Sequence, residues 1–327
     1  MCEMMQTTSE LTGEDRNVWL RARLGIGRMS LRAKPGLYSL GRPNKDSPVF
    51  VTANYQLSFN SLRSQLGGTD CYIIVLDTQG INVWCAAGKG TFGTDELVHM
   101  VESTNLKDVV NHRVLILPQL GAPGVAAPEV RKRTGFRVEW GPVRASDIPE
   151  YMTTRKATPE MRRVTFSLRD RAELVPVEIT SILAPLVIAL VILFLIGMRY
   201  TAFVITAIVL AGIVVFPILL PFLPTRDFTS KGIILGLLAS TPFMAREYFA
   251  NAAEPLWVTL MLAVTPALMI SPWVGFIALN FTGSTTFTSR TGVRREIFRY
   301  IPLIAAMFII GLGLEIGFLV ARWYGAI

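Results

Sequence analysis

Residues 72–104 read YIIVLDTQGINVWCAAGKGTFGTDELVHMVEST. The stretch opens on Tyr72–Asp77, a short run of β-favouring residues stopped by the turn Asp77-Thr78-Gln79-Gly80, which reads as a strand. It closes on Thr94–Thr104, where Leu97, Val98 and Val101 share one helical face and Thr94 stands at the N-cap position. Between the two, Ile81–Cys85 reads as a further strand. The flanks repeat the pattern. Val49–Ala53, Arg113–Leu117 and Phe136–Trp140 read as strands, and Ser58–Gln65 and Ala126–Arg133 as helices. Strands alternating with helices predict a Rossmann-like α/β domain.

Further along, the composition changes. The mean hydropathy of +0.44 is high for a soluble chain, and the excess lies beyond about residue 178. Five apolar segments follow, at residues 180–198, 201–223, 231–245, 255–281 and 300–321. A bilayer-crossing helix needs about 20 apolar residues, so an all-α transmembrane domain of five helices is expected. The third segment is short for a span, and the fourth carries Pro266 and Pro272, which suggest a kink. Arg226, Lys231, Arg290, Arg294, Arg295 and Arg299 fall on one side of such a layout, against Arg199, Arg246 and Arg322 on the other. The positive-inside rule then places the α/β domain in the cytoplasm and the protein in the cytoplasmic membrane, in contact with membrane lipid. Residues 1–30 are polar and charged, unlike a cleavable signal peptide. The expected division is an N-terminal extension (1–33), the α/β domain (34–152), a charged linker (153–178) and the transmembrane domain (179–327). Glu315 is the carboxylate well inside an apolar run, hence a functional candidate weighed against a protonated or snorkelling residue. The Gly/Ser/Thr-rich segment 282–292 is either a plain loop or a surface facing the α/β domain.

Three cysteines, Cys2, Cys71 and Cys85, and two histidines, His99 and His112, exclude a disulfide framework, and an iron–sulfur cluster or four-cysteine zinc site built from this chain alone. The net charge of +8 comes with no aromatic-interleaved basic patch, so no nucleic-acid partner is expected. Gly88-Lys89-Gly90-Thr91-Phe92-Gly93 matches G-x-G-x-x-G, with an expected strand before it, a helix after it and Asp108 20 residues beyond Gly88. That is the context of a dinucleotide loop, although the pattern is weak alone and leaves Trp84 and Cys85 unexplained. A phosphate-binding P-loop is excluded, because Val83 stands where the first glycine is required. Cys85 is followed by the small residues Ala86, Ala87 and Gly88, which let a flat ligand approach the backbone. Lys89 and a nearby helix N-terminus would favour the thiolate, the metal-ligating form. The plain alternative is a buried structural cysteine. His99 and His112 do not fit the D-x-H-x-x-G pattern of one class of cobalamin proteins and read as ordinary helix or surface residues. Cys71 reads as core and Cys2 as part of a disordered terminus.

Asn82–Lys89, NVWCAAGK, resembles the signature of the mercury-methylating corrinoid proteins of anaerobic microbes. The likeness extends over residues 34–63, 75–97 and 117–151 and fits the five apolar segments. That family's soluble domain is similar to the cobalamin domain of the corrinoid iron–sulfur protein large subunit of the acetyl-CoA pathway, which also carries a barrel and a cluster module for which this sequence has no counterpart. The resemblance implies cobalamin as cofactor and Cys85 as the catalytic residue and lower axial ligand of its cobalt. Asn82, Val83, Trp84, Ala86, Ala87, Gly88 and Lys89 would form a cap presenting the thiolate. Thr52 and Ser58 would lie near the corrin and Ala145 by its nucleotide tail. It implies a methyltransferase that takes a methyl group from a methyl-tetrahydrofolate-type donor, or that donor's own methyltransferase, and forms methylmercury from mercury(II). A ferredoxin-like iron–sulfur protein would supply low-potential electrons. The alternatives are a corrinoid methyl carrier of one-carbon metabolism, and a membrane transporter with a cytoplasmic ligand-binding domain.

Overall fold

Six strands form a single sheet: β1 (Met5–Thr7), β2 (Gly36–Leu40), β3 (Val49–Ala53), β4 (Cys71–Leu76), β5 (Val114–Leu117) and β6 (Arg137–Trp140). The computed structural model describes residues 4–284 and 288–325, so Cys2 and part of the 282–292 segment lie outside the described residues. The sheet order is β1-β2-β4-β3-β5-β6. β4, β3, β5 and β6 run parallel, β2 runs antiparallel to β4, and β1 is parallel to β2. The expected α/β domain is therefore present, with an antiparallel edge that the strand pattern does not announce. β3 matches the expected Val49–Ala53, and β4 begins and ends one residue early because the Asp77 amide turns from the ladder to the Glu96 carboxylate (2.8 Å).

The helices of this part are α1 (Gly13–Arg23), α2 (Gln56–Ser64), α3 (Val83–Lys89), α4 (Thr94–Ser103), α5 (Leu106–Val109), α6 (Ala127–Thr134) and α7 (Ile148–Thr154). Both sheet faces are covered, which is why β3 and β4 are buried along their whole length rather than alternating. One core joins Val49, Val51, Ala53, Ile74 and Leu76 to Val83, Ala86, Ala87, Leu97, Val101 and Val130 of α3, α4 and α6. The other joins Phe50, Ile73, Val75 and Ile116 to Phe59 and Leu62 of α2 and Ile148 and Tyr151 of α7.

The expected strand at Ile81–Cys85 is not formed. Asn82 has extended backbone and its side chain accepts the Cys85 N–H (2.9 Å), starting α3 instead. Cap chemistry and core packing win over the β-like composition of Ile-Asn-Val-Trp-Cys. The glycine pattern thus follows a helix rather than a strand, so the dinucleotide-loop context is absent. Gly90 ends α3 at φ 88°, and Gly93, not Thr94, is the N-cap of α4. A side chain at Gly93 would sit 2.5 Å from the Gly90 carbonyl. These glycines turn the chain from one helix into the next.

The N-terminal residues are docked on the α/β unit. Asp15 of α1 pairs with Arg63 of α2 at 2.6 Å, and Arg63 also donates to the Thr8 and Glu10 carbonyls. Burial raises the Asp15 pKa, but the Arg63 and Thr12 hydrogen bonds outweigh it and hold the carboxyl at about 2. Residues beyond α7 also pack here, since Met161 is buried and its carbonyl accepts the Val143 N–H.

The chain separates into two units at Val164 and Thr165. The second holds α8 (Leu168–Ala172), α9 (Val175–Leu195), α10 (Arg199–Val209) running through a π-helical turn (Leu210–Val215) into α11 (Phe216–Leu219), α12 (Phe228–Ala250), α13 (Leu256–Phe281) and α14 (Arg290–Trp323). Among the described residues, five helices are long and apolar enough to cross a membrane. The ends differ from expectation. α9 starts inside the expected linker, and α12 is longer than the apolar stretch 231–245. α14 takes in Arg294, Arg295 and Arg299, which the sequence places in a loop. Arg295 and Arg299 lie 3.2 and 3.7 Å from the Asp227 carboxylate that precedes α12, and this pairing lets a helix continue through charged sequence. α13 runs as one helix through Pro266 and Pro272. α12 and α13 approach through Gly232, Gly236 and Gly275, where an added side chain would strike the facing helix, at Gly236 the backbone of Ser271.

Candidate functional site

In a parallel sheet, ligands bind beyond the carboxyl ends of the strands where successive crossovers leave in opposite directions. Here β3 connects through α2 to β4 on one side, and β5 connects through α6 to β6 on the other, so the switch point of the topology lies between β3 and β5. Thr52, Ser58 and Ala145 lie at or just beyond the carboxyl ends of β3 and β6. Thr52 is the fourth residue of β3 and is buried, and its side chain shares the Phe50 face by strand alternation. Ser58 lies in the first turn of α2, directly after β3, and is half-buried. Ala145 opens a short 3₁₀ turn after β6 and packs on the same face as Phe50. Tyr151 donates to the Glu139 carboxylate and so closes the segment containing Ala145; burial and that carboxylate both raise the phenol pKa.

The cap, α3, comes from the opposite face. Val83, Ala86 and Ala87, at helical spacing, are buried in the core beside β3 and β4. Their side chains anchor the cap in that core. Trp84, Cys85 and Gly88 are half-buried on the other side of the same turn, and Lys89 is exposed. Gly88 stands one helical turn beyond Cys85 and adds no side chain above it. Cys71 contrasts with this. It is fully buried in β4, and burial, with the Asp70 carboxylate, pushes its thiol up to about 12. His112 bonds the Ser47 carbonyl at 2.8 Å through its ring. Among the described residues no three His, Cys, Asp or Glu side chains are grouped to hold a metal ion.

One set of residues at this edge is not singled out by the sequence. Asn54, just past β3 and 2% exposed, accepts from the Thr78 and Gly80 amides at 3.1 and 2.9 Å. Its amide nitrogen donates to Asp77 at 2.9 Å. The only trace in the sequence is an asparagine ending a strand and an Asp-Thr-Gln-Gly turn more than 20 residues later.

Comparison with known proteins places relatives on this unit. Residues 26–152 match the family model of the CO dehydrogenase/acetyl-CoA synthase delta subunit. The acetyl-CoA decarbonylase/synthase complex subunit gamma of Methanopyrus kandleri is 34% identical over 121 residues, covering 36% of this chain and 26% of that protein. The gamma subunit of Archaeoglobus fulgidus is 32% identical over 127 residues, covering 38% and 27%. That of Methanothermobacter thermautotrophicus is 33% identical over 120 residues, covering 36% and 26%. The chain thus spans about a quarter of the length of these relatives. The α/β unit is related to a domain of these acetyl-CoA complex subunits, as the resemblance of residues 34–151 implies, and the family match ends before the first apolar helix.

Proposed function

We propose that the protein binds a corrinoid at the carboxyl edge of its sheet and transfers methyl groups to mercury(II), forming methylmercury, with Cys85 as the residue that would hold the cobalt through its thiolate. The observation that carries this reading is the placement of Cys85. A half-buried thiol sits on one side of a short helix whose other side, Val83, Ala86 and Ala87, is fixed in the core beside β3 and β4. The donor set fits the group. A single thiolate with a glycine one turn on suits a macrocycle that already supplies four equatorial ligands, whereas a bare ion would need several protein ligands. The kinship to acetyl-CoA complex subunits supports a methyl-carrying corrinoid unit.

When bound, the corrinoid supplies a cobalt centre able to accept a methyl group from a methyl-tetrahydrofolate-type donor and release it to mercury(II). The protein does the rest. Asn82 fixes the first turn of the cap, and Trp84 and Gly88 flank Cys85. Lys89 keeps a positive charge near the thiolate. Thr52 and Ser58 would lie near the corrin, and Ala145 near its nucleotide tail. A Cys85 thiolate bound to the cobalt would raise its electron density, which would suit methyl delivery to an electrophilic metal ion. A ferredoxin-like iron–sulfur protein supplies the reducing equivalents. The five apolar helices span the cytoplasmic membrane with the α/β unit inside.

The test is complementation of a methylation-negative deletion strain. Wild-type protein restores methylmercury formation and Cys85→Ala does not; full activity of the alanine variant would end the proposal. The kinship favours one second reading, a methyl carrier of one-carbon metabolism that meets mercury incidentally. Loss of label transfer from a methyl donor into central metabolites in the deletion strain would favour it.

A further inference from the structure

We propose that Asn54 is the positioning residue that aims Cys85, by clamping the loop from β4 into the cap helix before any cofactor is bound. The inference rests on the reading of Cys85 as the cobalt ligand. Residues 77–81 are the only covalent lead into α3 from the sheet, and their path is unusual. Gln79 and Gly80 both have left-handed backbone, φ 58° and 75°, a conformation unfavourable for a residue with a side chain. Such a path persists when its surroundings over-determine it.

Asn54 supplies that determination. Its Oδ1 accepts from the Thr78 and Gly80 amides at 3.1 and 2.9 Å and lies 2.9 Å from the Thr78 hydroxyl. Its Nδ2 donates to Asp77 Oδ1 at 2.9 Å, and that same oxygen accepts the Gln79 amide at 3.0 Å. The Thr78 hydroxyl also reaches the Ile81 carbonyl at 2.6 Å, one residue before the cap's Asn82. Asn54 and Thr78 are 2% and 0% exposed, so water does not replace these bonds. Asn54 follows β3 two residues after Thr52. The strand bearing one site residue therefore sets the helix bearing another.

The test uses the purified full chain, with hydroxocobalamin as probe and wild type, Cys85→Ala, Asn54→Ala, Asn54→Asp and Asn54→Asp/Asp77→Asn compared. Two quantities are read: the ratio of sulfur-ligated to unligated bound cobalamin by absorption, and amide exchange of residues 78–88 without cobalamin. Asn54→Asp sets a carboxylate against Asp77. Adding Asp77→Asn restores the 54–77 donor–acceptor pair with reversed polarity, while the Gln79 amide loses its acceptor. Both single Asn54 variants are expected to lower the ligated ratio at least tenfold and speed exchange in 78–88 at least tenfold, with total cobalamin bound retained. The double variant is expected to recover part of both. Wild-type ratio and exchange in Asn54→Asp, or no recovery in the double variant, overturns the proposal; that comparison holds even where Asn54→Ala does not fold. A wild-type spectrum in Cys85→Ala overturns the ligand assignment instead, and the cofactor-free exchange then still decides whether Asn54 holds the cap.

Discussion

Replacing Gly124 with alanine tests how tightly the cap is held. The new methyl carbon would lie 2.2 Å from the Phe92 carbonyl oxygen, 2.9 Å from Ala87 Cα and 3.0 Å from the Ala87 oxygen. All three are backbone atoms, so no side chain can rotate away. Carbon–oxygen contacts close at about 3.3 Å, so residue 124 must part by about 1 Å from the Phe92 carbonyl, in the turn between α3 and α4, and by a few tenths of an ångström from Ala87 in the last turn of α3. Overpacking of that kind costs about 1–3 kcal/mol, or about 2–12 °C in the melting temperature of a unit this size. Gly135→Ala is the control. Gly135 has φ 78° but no atom within 4 Å of an added Cβ. It should therefore lose about 1–2 kcal/mol to backbone strain without disturbing the cap. Thermal unfolding and the sulfur-ligated fraction of bound cobalamin are measured on both. Gly124→Ala is expected to lose stability and most of the ligated fraction, and Gly135→Ala stability alone. Equal ligation in the two variants would refute the idea that the last turn of α3 is braced by residue 124.

Two further predictions concern titratable groups. In folded protein at pH 8, iodoacetamide should modify Cys85 and spare Cys71, whose thiol is fully buried and pushed up to about 12; equal labelling by peptide mapping would contradict this. The Asp15 pKa, about 2 against an ordinary 3.8, means that its contribution is complete above pH 3.8 and fades as pH falls toward 2. At about 1.4 kcal/mol per pH unit, discounted for partial solvent access, it amounts to about 1–2 kcal/mol. Denaturant unfolding should show Asp15→Asn losing less stability than wild type between pH 5 and pH 3.

Local pattern located what local forces build. Val49–Ala53 is a β-branched run between turns and forms β3 unchanged, and Leu97, Val98 and Val101 mark the buried face of α4. What was not legible depends on partners distant in sequence. β2 is a five-residue strand buried along its whole length, so it shows no alternation, and its partner β4 lies some 30 residues on. β1 is three residues long and exists through its pairing with β2. The cap reads as strand because Ile81, Val83 and Trp84 favour β structure; one side-chain bond from Asn82 and the burial of Val83, Ala86 and Ala87 decide otherwise. At the site, Cys85 stands out through its motif. Asn54 does not, because its partners Asp77, Thr78 and Gly80 are 23 to 26 residues away.

Cobalt K-edge X-ray absorption of the full chain loaded with cobalamin addresses the central claim most directly. A cobalt–sulfur scattering shell should be present in the wild-type protein and absent in Cys85→Ala, with cobalamin bound in both. No sulfur shell in the wild type, or one that persists without Cys85, would contradict the assignment of this thiolate as the cobalt ligand.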